Sequence, residues 1–187
     1  DLASALRLQR LLAEISSNFV TRSAGQTDDT IEETQHLVCE TLGLDRSTLW
    51  QITGDGTEMA LTHFWQPAGS IPLRRNFITN GNLPWAEGRI RRGETFHFSS
   101  LDDLPPEAAQ DVATLRLHGT RSNATFPLVA DGGVFGALAF AMTRAERQWT
   151  EDELSGLELV AQIFGHVISR RRSEERADQL REEIQRS

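Results

Sequence analysis

The chain has 187 residues, of which 39% are hydrophobic, and its formal net charge is −8. This length provides one ordinary domain with a sizeable core and an additional segment, or two very small domains. No apolar run approaches the ~18 residues of a membrane-spanning helix, and no start resembles a signal peptide, so we expect a soluble fragment without membrane contact. The acidic balance argues against direct nucleic-acid binding, which requires a basic surface.

The first two predicted elements are helices. In residues 1–22, apolar side chains recur at three- and four-residue steps and form one helical stripe, made of Leu8, Leu11, Leu12, Ile15 and Phe19. Asp28 and Asp29 are positioned to cap a second helix, which ends at Gly43. This helix contains Cys39, the only cysteine. Its apolar neighbours favour a buried packing role over a redox or chromophore-attaching thiol, and a lone cysteine is consistent with a cytoplasmic location.

Residues 47–66 alternate in polarity around Gly54-Asp55-Gly56, which predicts two strands joined as a hairpin. On the first strand, Thr48, Trp50 and Ile52 share one side. On the second strand, the alternation places Met59, Leu61, His63 and Trp65 on one side.

The middle of the chain predicts short helices alternating with strands. A helix is expected over residues 83–92, a strand over 95–99, a second helix over 107–117, and a hairpin from 120–129 and 134–142. The last of these strands is almost wholly apolar, which indicates a central strand that is covered on both faces.

The final predicted element is one helix of more than thirty residues that begins after Thr150. Thr150 and Glu153 have the spacing of a capping box. The first part of the helix is apolar enough to lie on the domain, whereas residues 169–187 are mostly Arg and Glu with sparse apolar positions. A helix this polar cannot bury itself on a monomer, so we expect it to project and to pair with a second copy.

The predicted elements indicate an α+β fold, with helices flanking an antiparallel sheet of five or six strands. Several separated segments resemble a GAF domain in the correct order: Leu44–Gln51, Thr62–Trp65, Leu83–Trp85, Phe98–Pro105, Gly119–Asn123 and Gly136–Leu138. The resemblance runs from about residue 5 to about residue 172. It is to GAF domains found N-terminal in bacterial sensor histidine kinases and sigma-54-dependent activators.

The resemblance implies a GAF sensory domain over residues 1–168, with the helix of residues 1–22 included, followed by a signalling helix or coiled-coil linker over 169–187. It implies a cytoplasmic regulatory domain that dimerises through its N- and C-terminal helices, binds a small molecule and relays that event through the last helix. A ligand-free dimerising spacer is the alternative. The identity of any ligand or cofactor stays open.

In GAF domains a ligand lies between the sheet and the helices and loops that join the second, third and fourth strands. The nearest candidates here are Trp65, Trp85, Phe96, Phe98, Arg116, His118, Ser122 and Asn123. Arg116 is the candidate for two-pronged anion binding, and His63, His97 or His118 for a haem ligand. The competing interpretation is that the aromatic residues are ordinary core and that Arg116 is a surface residue.

Three functional classes fit the sequence poorly. Bilin-binding members of the family attach their chromophore through a cysteine near the later helices, far from Cys39. The Asn-Lys-Phe-Asp-Glu signature of the cyclic-nucleotide-binding phosphodiesterases cannot be intact, because the chain has no Lys. Reduction of free methionine sulfoxide requires several cysteines. No histidine pair has zinc-type spacing and Ser122 lies in no Gly-x-Ser-x-Gly elbow, so we expect neither catalysis nor a metal site.

Overall fold

A computed structural model describes residues 2–22 and 26–187. Asp1, the first residue of the predicted N-terminal helix, lies outside the described residues. The elements are, in order, α1 (Leu2–Thr21), α2 (Thr27–Leu42), β1 (Arg46–Ile52), β2 (Met59–Trp65), α3 (Pro84–Arg91), β3 (Phe96–Phe98), α4 (Ala109–Leu117), β4 (Ser122–Ala130), β5 (Gly133–Met142) and α5 (Glu151–Arg186).

The five strands form one antiparallel sheet in the order β2-β1-β5-β4-β3. The predicted α+β class, the antiparallel sheet with flanking helices and the long C-terminal helix are confirmed. The apolar strand β5 is central, between β1 and β4, as its sequence predicts. No helix in the described part of the chain is long and apolar enough to cross a membrane.

One face of the sheet is covered by α2 and α5, and α1 packs against these two helices. Large β5 side chains, Leu138 and Phe140, point to this face and join the core formed with those helices. The predicted stripe on α1 is buried at Leu11 and Ile15 and packs through Leu8, Leu12 and Phe19. Cys39 is fully buried in the same core, and this burial raises the pKa of its thiol. The opposite face carries α3 and α4.

The predicted alternation along β2 is wrong after Leu61. Leu49 faces His63, whereas Trp50 faces Leu61, so Thr62 is an additional residue that shifts the register between β1 and β2. Such an irregularity reverses the side to which the following side chains point. Met59 and Leu61 therefore lie on the α3/α4 face, while His63 and Trp65 contact α2 on the other.

Asp28 is not the cap that the sequence predicts. Gln26 precedes α2 without a side-chain cap, and Asp28 lies in the first turn. Its carboxylate instead pairs with Arg171 of α5 and lies 2.8 Å from His63 Nε2. The hydrogen bonds from Arg171 and His63, opposed by partial burial, lower the pKa of Asp28 to about 2. The same carboxylate therefore joins α2, β2 and α5.

The long helix α5 begins as predicted, because the Thr150 hydroxyl accepts a hydrogen bond from the Glu153 amide. Its first half packs on the sheet through buried residues that include Leu157 and Phe164. The last contacts to the domain include Arg171 with Asp28 and Arg172 over the ring of Phe135. Beyond this point nearly every residue is exposed.

Asp45 anchors the start of β1 to the segment after β5. Its buried carboxylate accepts hydrogen bonds from the amides of Thr143 and Arg144 and from the Arg144 guanidinium, at 2.7 to 3.1 Å. Burial acts to raise the pKa of Asp45, but these donors outweigh it and hold the pKa below its ordinary value.

We predict that Asp45→Asn lowers the free energy of unfolding at pH 7 by about 2 to 3 kcal/mol, because a buried charged acceptor is lost. A lowered pKa in the folded state means that Asp45 stabilises the fold at pH values above the ordinary carboxyl range. That stabilisation disappears as the pH falls through the folded-state pKa. In urea unfolding, the difference in the free energy of unfolding between the wild-type protein and Asp45→Asn should therefore become smaller below about pH 4.

The control is Asp178→Asn, which breaks an exposed pair with Arg181 and should change stability by less than about 0.5 kcal/mol. If the free energy of unfolding of Asp45→Asn differs from that of the wild type by the same amount from pH 7 to pH 3, the stabilising role of the Asp45 charge is contradicted.

Gly136 on β5 has a packing requirement. A Cβ at this position would lie 2.2 Å from the Trp50 carbonyl oxygen of the adjacent strand. We predict that Gly136→Ala lowers the free energy of unfolding by about 3 kcal/mol or more, because two paired strands must separate. Gly54→Ala, where a Cβ meets nothing within 4 Å, should change it by about 0.5 kcal/mol at most. Equal effects of the two substitutions in urea unfolding would refute the prediction.

Candidate functional site

A cavity of about 240 Å³ lies between the sheet and the α3/α4 layer. Its floor follows from the strand register. In one row across the sheet, Thr48, Ala139, Thr125 and Phe96 stand side by side. In the next row the side chains are those of Arg46, Ala141, Asn123 and Phe98.

The floor is low at its centre because β5 carries alanines on this face. Ala137, Ala139 and Ala141 alternate with Leu138 and Phe140, whose large side chains fill the opposite core. Methyl groups on the central strand leave an open volume above the sheet. Polar side chains of β1 and β4 border this volume on two sides.

The walls and roof are mainly aromatic and aliphatic. Trp85 of α3 meets Phe96 edge to face, with ring centroids 5.1 Å apart. Phe77 contacts both Trp50 and His118, with centroid distances of 6.3 and 5.9 Å. Further apolar lining comes from β2, the segment before α3, the two helices and the segment between β3 and α4: Met59, Leu61, Pro72, Leu73, Leu83, Ile90, Leu104 and Leu115.

Asp111 of α4 holds the roof together. Its buried carboxylate accepts hydrogen bonds from the amides of Trp85 and Ala86, at 3.0 and 2.9 Å. These amides belong to the first turn of α3, which has no side-chain cap of its own. Burial raises the pKa of Asp111, and the two amide donors oppose that rise. Glu87, also on α3, pairs with Arg91 at 3.9 Å, and its Oε1 is buried without a hydrogen-bond partner among the described residues.

Arg46 is the buried cation of the cavity. Its side chain is at the start of β1, and the residue is 6% exposed. One Nη donates to the carbonyl of His118, at the end of α4, and the other to Thr120 Oγ1, at 2.9 and 2.5 Å. Both acceptors are neutral, and no carboxylate in the described chain pairs with Arg46. Burial lowers the pKa of Arg46 to about 10, opposed by the nearby charge of Asp45, so the guanidinium stays protonated at neutral pH.

The remaining polar groups on the floor form two side-chain pairs. Trp50 Nε1 donates to Thr48 Oγ1 at 3.0 Å. With the Asn123 amide oriented to satisfy both of its ends, Oδ1 accepts from Thr125 Oγ1 at 2.6 Å and the amide nitrogen donates to the Phe140 carbonyl. The hydroxyl proton of Thr48 has no acceptor among the described residues.

Five of the eight residues that the sequence singled out line the cavity: Trp85, Phe96, Phe98, His118 and Asn123. Trp65, Arg116 and Ser122 do not. The irregularity at Thr62 turns Trp65 to the helical face, where it stacks on His36 with centroids 4.3 Å apart. Arg116 lies exposed on the outer side of α4.

Ser122 is buried one residue before Asn123 on β4 and so points to the other side. Its hydroxyl donates to the Ser99 carbonyl and accepts from the Arg147 amide, at 2.7 and 2.8 Å. These bonds give Ser122 a structural role. They connect β4 to β3 and to the segment that leads into α5.

The three histidines considered as haem ligands do not converge. His63 is bonded to Asp28 on the helical face, and His97 is exposed on β3. His118 lines the cavity, with Nδ1 2.9 Å from the Thr114 carbonyl. No group of three or more His, Cys, Asp or Glu side chains within residues 2–22 and 26–187 is arranged to hold a metal ion.

Sequence reasoning missed Arg46, Thr48 and Trp50 as lining residues. All three point to the cavity because they alternate on β1. The signal was available in part, since the alternation placed Thr48 and Trp50 on one side and extends by two residues to Arg46. Nothing in the sequence indicated that this side faces a cavity.

A family model described as GAF domain matches residues 26–168. The match covers most of the sequence, so the chain belongs to the GAF domain family, as its motifs predict. Among the curated proteins, no sequence matches that of this chain.

Solved GAF domains share the fold. The phycoerythrobilin-bound GAF domain from a cyanobacterial phytochrome has a TM-score of 0.73 and 16% identity, over 91% of this chain and 99% of that chain. The blue-light absorbing form of the Thermosynechococcus elongatus PixJ GAF domain has a TM-score of 0.64 and 22% identity, over 86% and 95%. The GAF domain of an Acinetobacter phosphoenolpyruvate-protein phosphotransferase has a TM-score of 0.66 and 14% identity, over 92% and 96%.

We predict that a ring-sized apolar probe enters this cavity and that Ala139→Leu excludes it, because the added atoms occupy the centre of the floor. Saturating toluene should raise the melting temperature of the wild-type protein by a few degrees through binding to the native state. It should leave the melting temperature of Ala139→Leu unchanged.

Ala113→Leu is the matched control, since Ala113 is exposed on α4. This variant should respond to toluene like the wild-type protein. Equal responses of the wild type and Ala139→Leu would show that toluene binds elsewhere.

Proposed function

We propose that the chain is a cytoplasmic sensory input domain of a bacterial signal-transduction protein, with a histidine kinase or a sigma-54-dependent activator as the output module. A small molecule binds in the cavity, the domain dimerises through α1 and α5, and α5 transmits the state of the cavity. The observation that carries the proposal is that the same domain has two features without a binding partner in the described chain. These are a largely apolar cavity with a buried, carboxylate-free Arg46, and a helix that continues beyond the domain.

The solved neighbours support the small-molecule part of the proposal, because several of them hold a bound bilin. This chain differs in two respects that favour a smaller ligand. Cys39, its only thiol, is buried in α2 on the opposite face of the sheet. A cavity of about 240 Å³ is also less than the volume of four linked rings, given that about 150 Å³ accommodates a single benzene.

A contiguous set of contacts leads from the cavity to α5, and we propose it as the coupling route. Leu61 lines the cavity, and the register shift at Thr62 follows directly. His63 then bonds Thr62 Oγ1 through Nδ1 and Asp28 through Nε2, at 2.9 and 2.8 Å. Asp28 pairs with Arg171, close to where α5 leaves the domain. A ligand that displaces β2 acts on the helix through these residues, provided that it favours one of two arrangements.

The exposed end of α5 supports dimerisation. Leu180 and Ile184 are 56% and 72% exposed. They belong to two seven-residue series, offset by four, as in the seam of a coiled coil. The series are Leu159, His166, Ser173 and Leu180, and Ile163, Arg170, Ala177 and Ile184. On α1, Leu2, Leu6 and Val20 are also exposed and offer apolar side chains to a second copy.

A ligand-free dimerising spacer is the second candidate. The observation that favours it is the internal pairing of cavity polar groups, Trp50 with Thr48 and Asn123 with Thr125. A spacer requires the dimer but no response to cavity probes. We propose no catalytic role in either case, since the Ser122 hydroxyl is committed to structural bonds and Cys39 is buried.

We predict that the chain is a dimer at about 50 μM in sedimentation equilibrium and that Leu180→Glu/Ile184→Glu weakens the dimer at least tenfold, because both substitutions place charges at large apolar positions of the seam. Gln179→Glu/Gln185→Glu adds the same charge to exposed positions outside the two series and should leave the dimer intact. A wild-type monomer at this concentration, or equal weakening by both pairs of substitutions, would contradict the proposed interface.

A further inference from the structure

The charge and dimensions of the cavity restrict what it can bind. A dry cavity of about 150 Å³ accommodates benzene, and a water-sized group occupies about 30 Å³. The present volume of about 240 Å³ therefore accommodates a six-membered ring with a short substituent. A carboxylate directly on a ring, or on a one-carbon extension of it, fits this space.

The apolar part of such a molecule has a defined place. Ala139 leaves room above the centre of the sheet, and Trp85 and Phe96 stand beside it with their rings in edge contact. Aromatic rings prefer edge-to-face or offset packing with one another. A planar ring between the methyl floor and these side chains makes such contacts on several sides.

Two arginines line the cavity, Arg46 and Arg74; Arg46 is buried, whereas Arg74 is exposed to solvent. A buried guanidinium is stabilised by a carboxylate, which accepts two parallel hydrogen bonds from it. Arg46 has neutral partners only, His118 O and Thr120 Oγ1. Thr48 stands two residues away on the same face of β1, and its hydroxyl proton is available as a further donor.

Neither carboxylate of the lining pairs with Arg46. Asp111 accepts two amides of α3, and Glu87 pairs through Oε2 with Arg91 at 3.9 Å, while its Oε1 has no hydrogen-bond partner among the described residues. Asp45, the residue next to Arg46, is bound to Arg144, whose side chain is exposed. No carboxylate in the described chain therefore competes with a ligand for Arg46.

Building on the proposed sensory function, we propose that the ligand is a compact aromatic monocarboxylate, with its carboxylate bound by Arg46 and Thr48 and its ring above Ala139. Arg46 also bonds the end of α4, so occupancy by an anion acts on the helix that forms part of the roof. This assignment moves the anion-binding role from Arg116, where the sequence suggested it, to Arg46.

The test compares charged and neutral probes of the same shape by isothermal titration calorimetry. The pairs are phenylacetate with phenylacetamide and benzoate with benzamide, on the wild-type protein at neutral pH. We expect at least one carboxylate to bind at least tenfold more tightly than its amide. Binding of neither carboxylate, or equal binding of each carboxylate and its amide, would overturn the proposal.

Two arginine variants locate the charge. Arg46→Gln should lose the preference for the carboxylate, leaving the acid and the amide within about threefold of each other, whereas Arg116→Gln should behave like the wild type. Loss of the preference in Arg116→Gln alone would contradict the assignment. Circular dichroism tests whether Arg46→Gln keeps its fold, and the rise in melting temperature with toluene tests whether it keeps its cavity. If that variant unfolds, the acid–amide comparison on the wild-type protein still tests whether the cavity prefers a carboxylate.

The outcomes also separate this proposal from the proposed function. If toluene or the amides bind and the carboxylates have no advantage, the cavity remains a small-molecule site and only the anionic ligand class is wrong. If toluene, acids and amides all fail to bind, the sensory function fails too and the ligand-free spacer is favoured.

Discussion

The small side chains on one face of β5 are the constraint on which the cavity depends. Leu138 and Phe140 supply the core beneath the sheet, while Ala137, Ala139 and Ala141 leave space above it. One strand thus gives the protein a close-packed half and a hollow half. The packed half carries the terminal helices, and the hollow half carries the groups suited to a ligand.

The buried charge of Arg46 is the second determinant of the site. Moving an arginine out of water without a carboxylate is costly, and the two neutral acceptors recover part of that cost. Such a residue at a cavity wall favours an anion and disfavours a second cation. Because the same guanidinium fixes the end of α4, the binding group and the roof of the cavity form one unit. The sheet then connects this unit to α5 through His63 and Asp28.

Most of the fold could be predicted from local sequence. The α1 stripe, the Thr150 cap and the apolar β5 depend on residues close in the chain, and periodicity reports them directly. The site could be predicted only in part, because its membership depends on tertiary pairing. The register shift at Thr62 moves Trp65 to the opposite face, and the orientation of α4 exposes Arg116. Neither effect has a local signal. Arg46 was missed because nothing in the sequence indicates that its side of β1 faces a cavity.

The most direct test of the account is whether occupancy of the cavity changes the pairing of α5. Cys39 is buried, so a spin label can be attached selectively to Gln179→Cys on the exposed part of the helix. Double electron–electron resonance then measures the distance between the two labels of a dimer. The account predicts a defined intersubunit distance whose distribution shifts when saturating phenylacetate is added. A distribution that is unchanged while calorimetry shows phenylacetate bound, or no intersubunit distance at all, would contradict it.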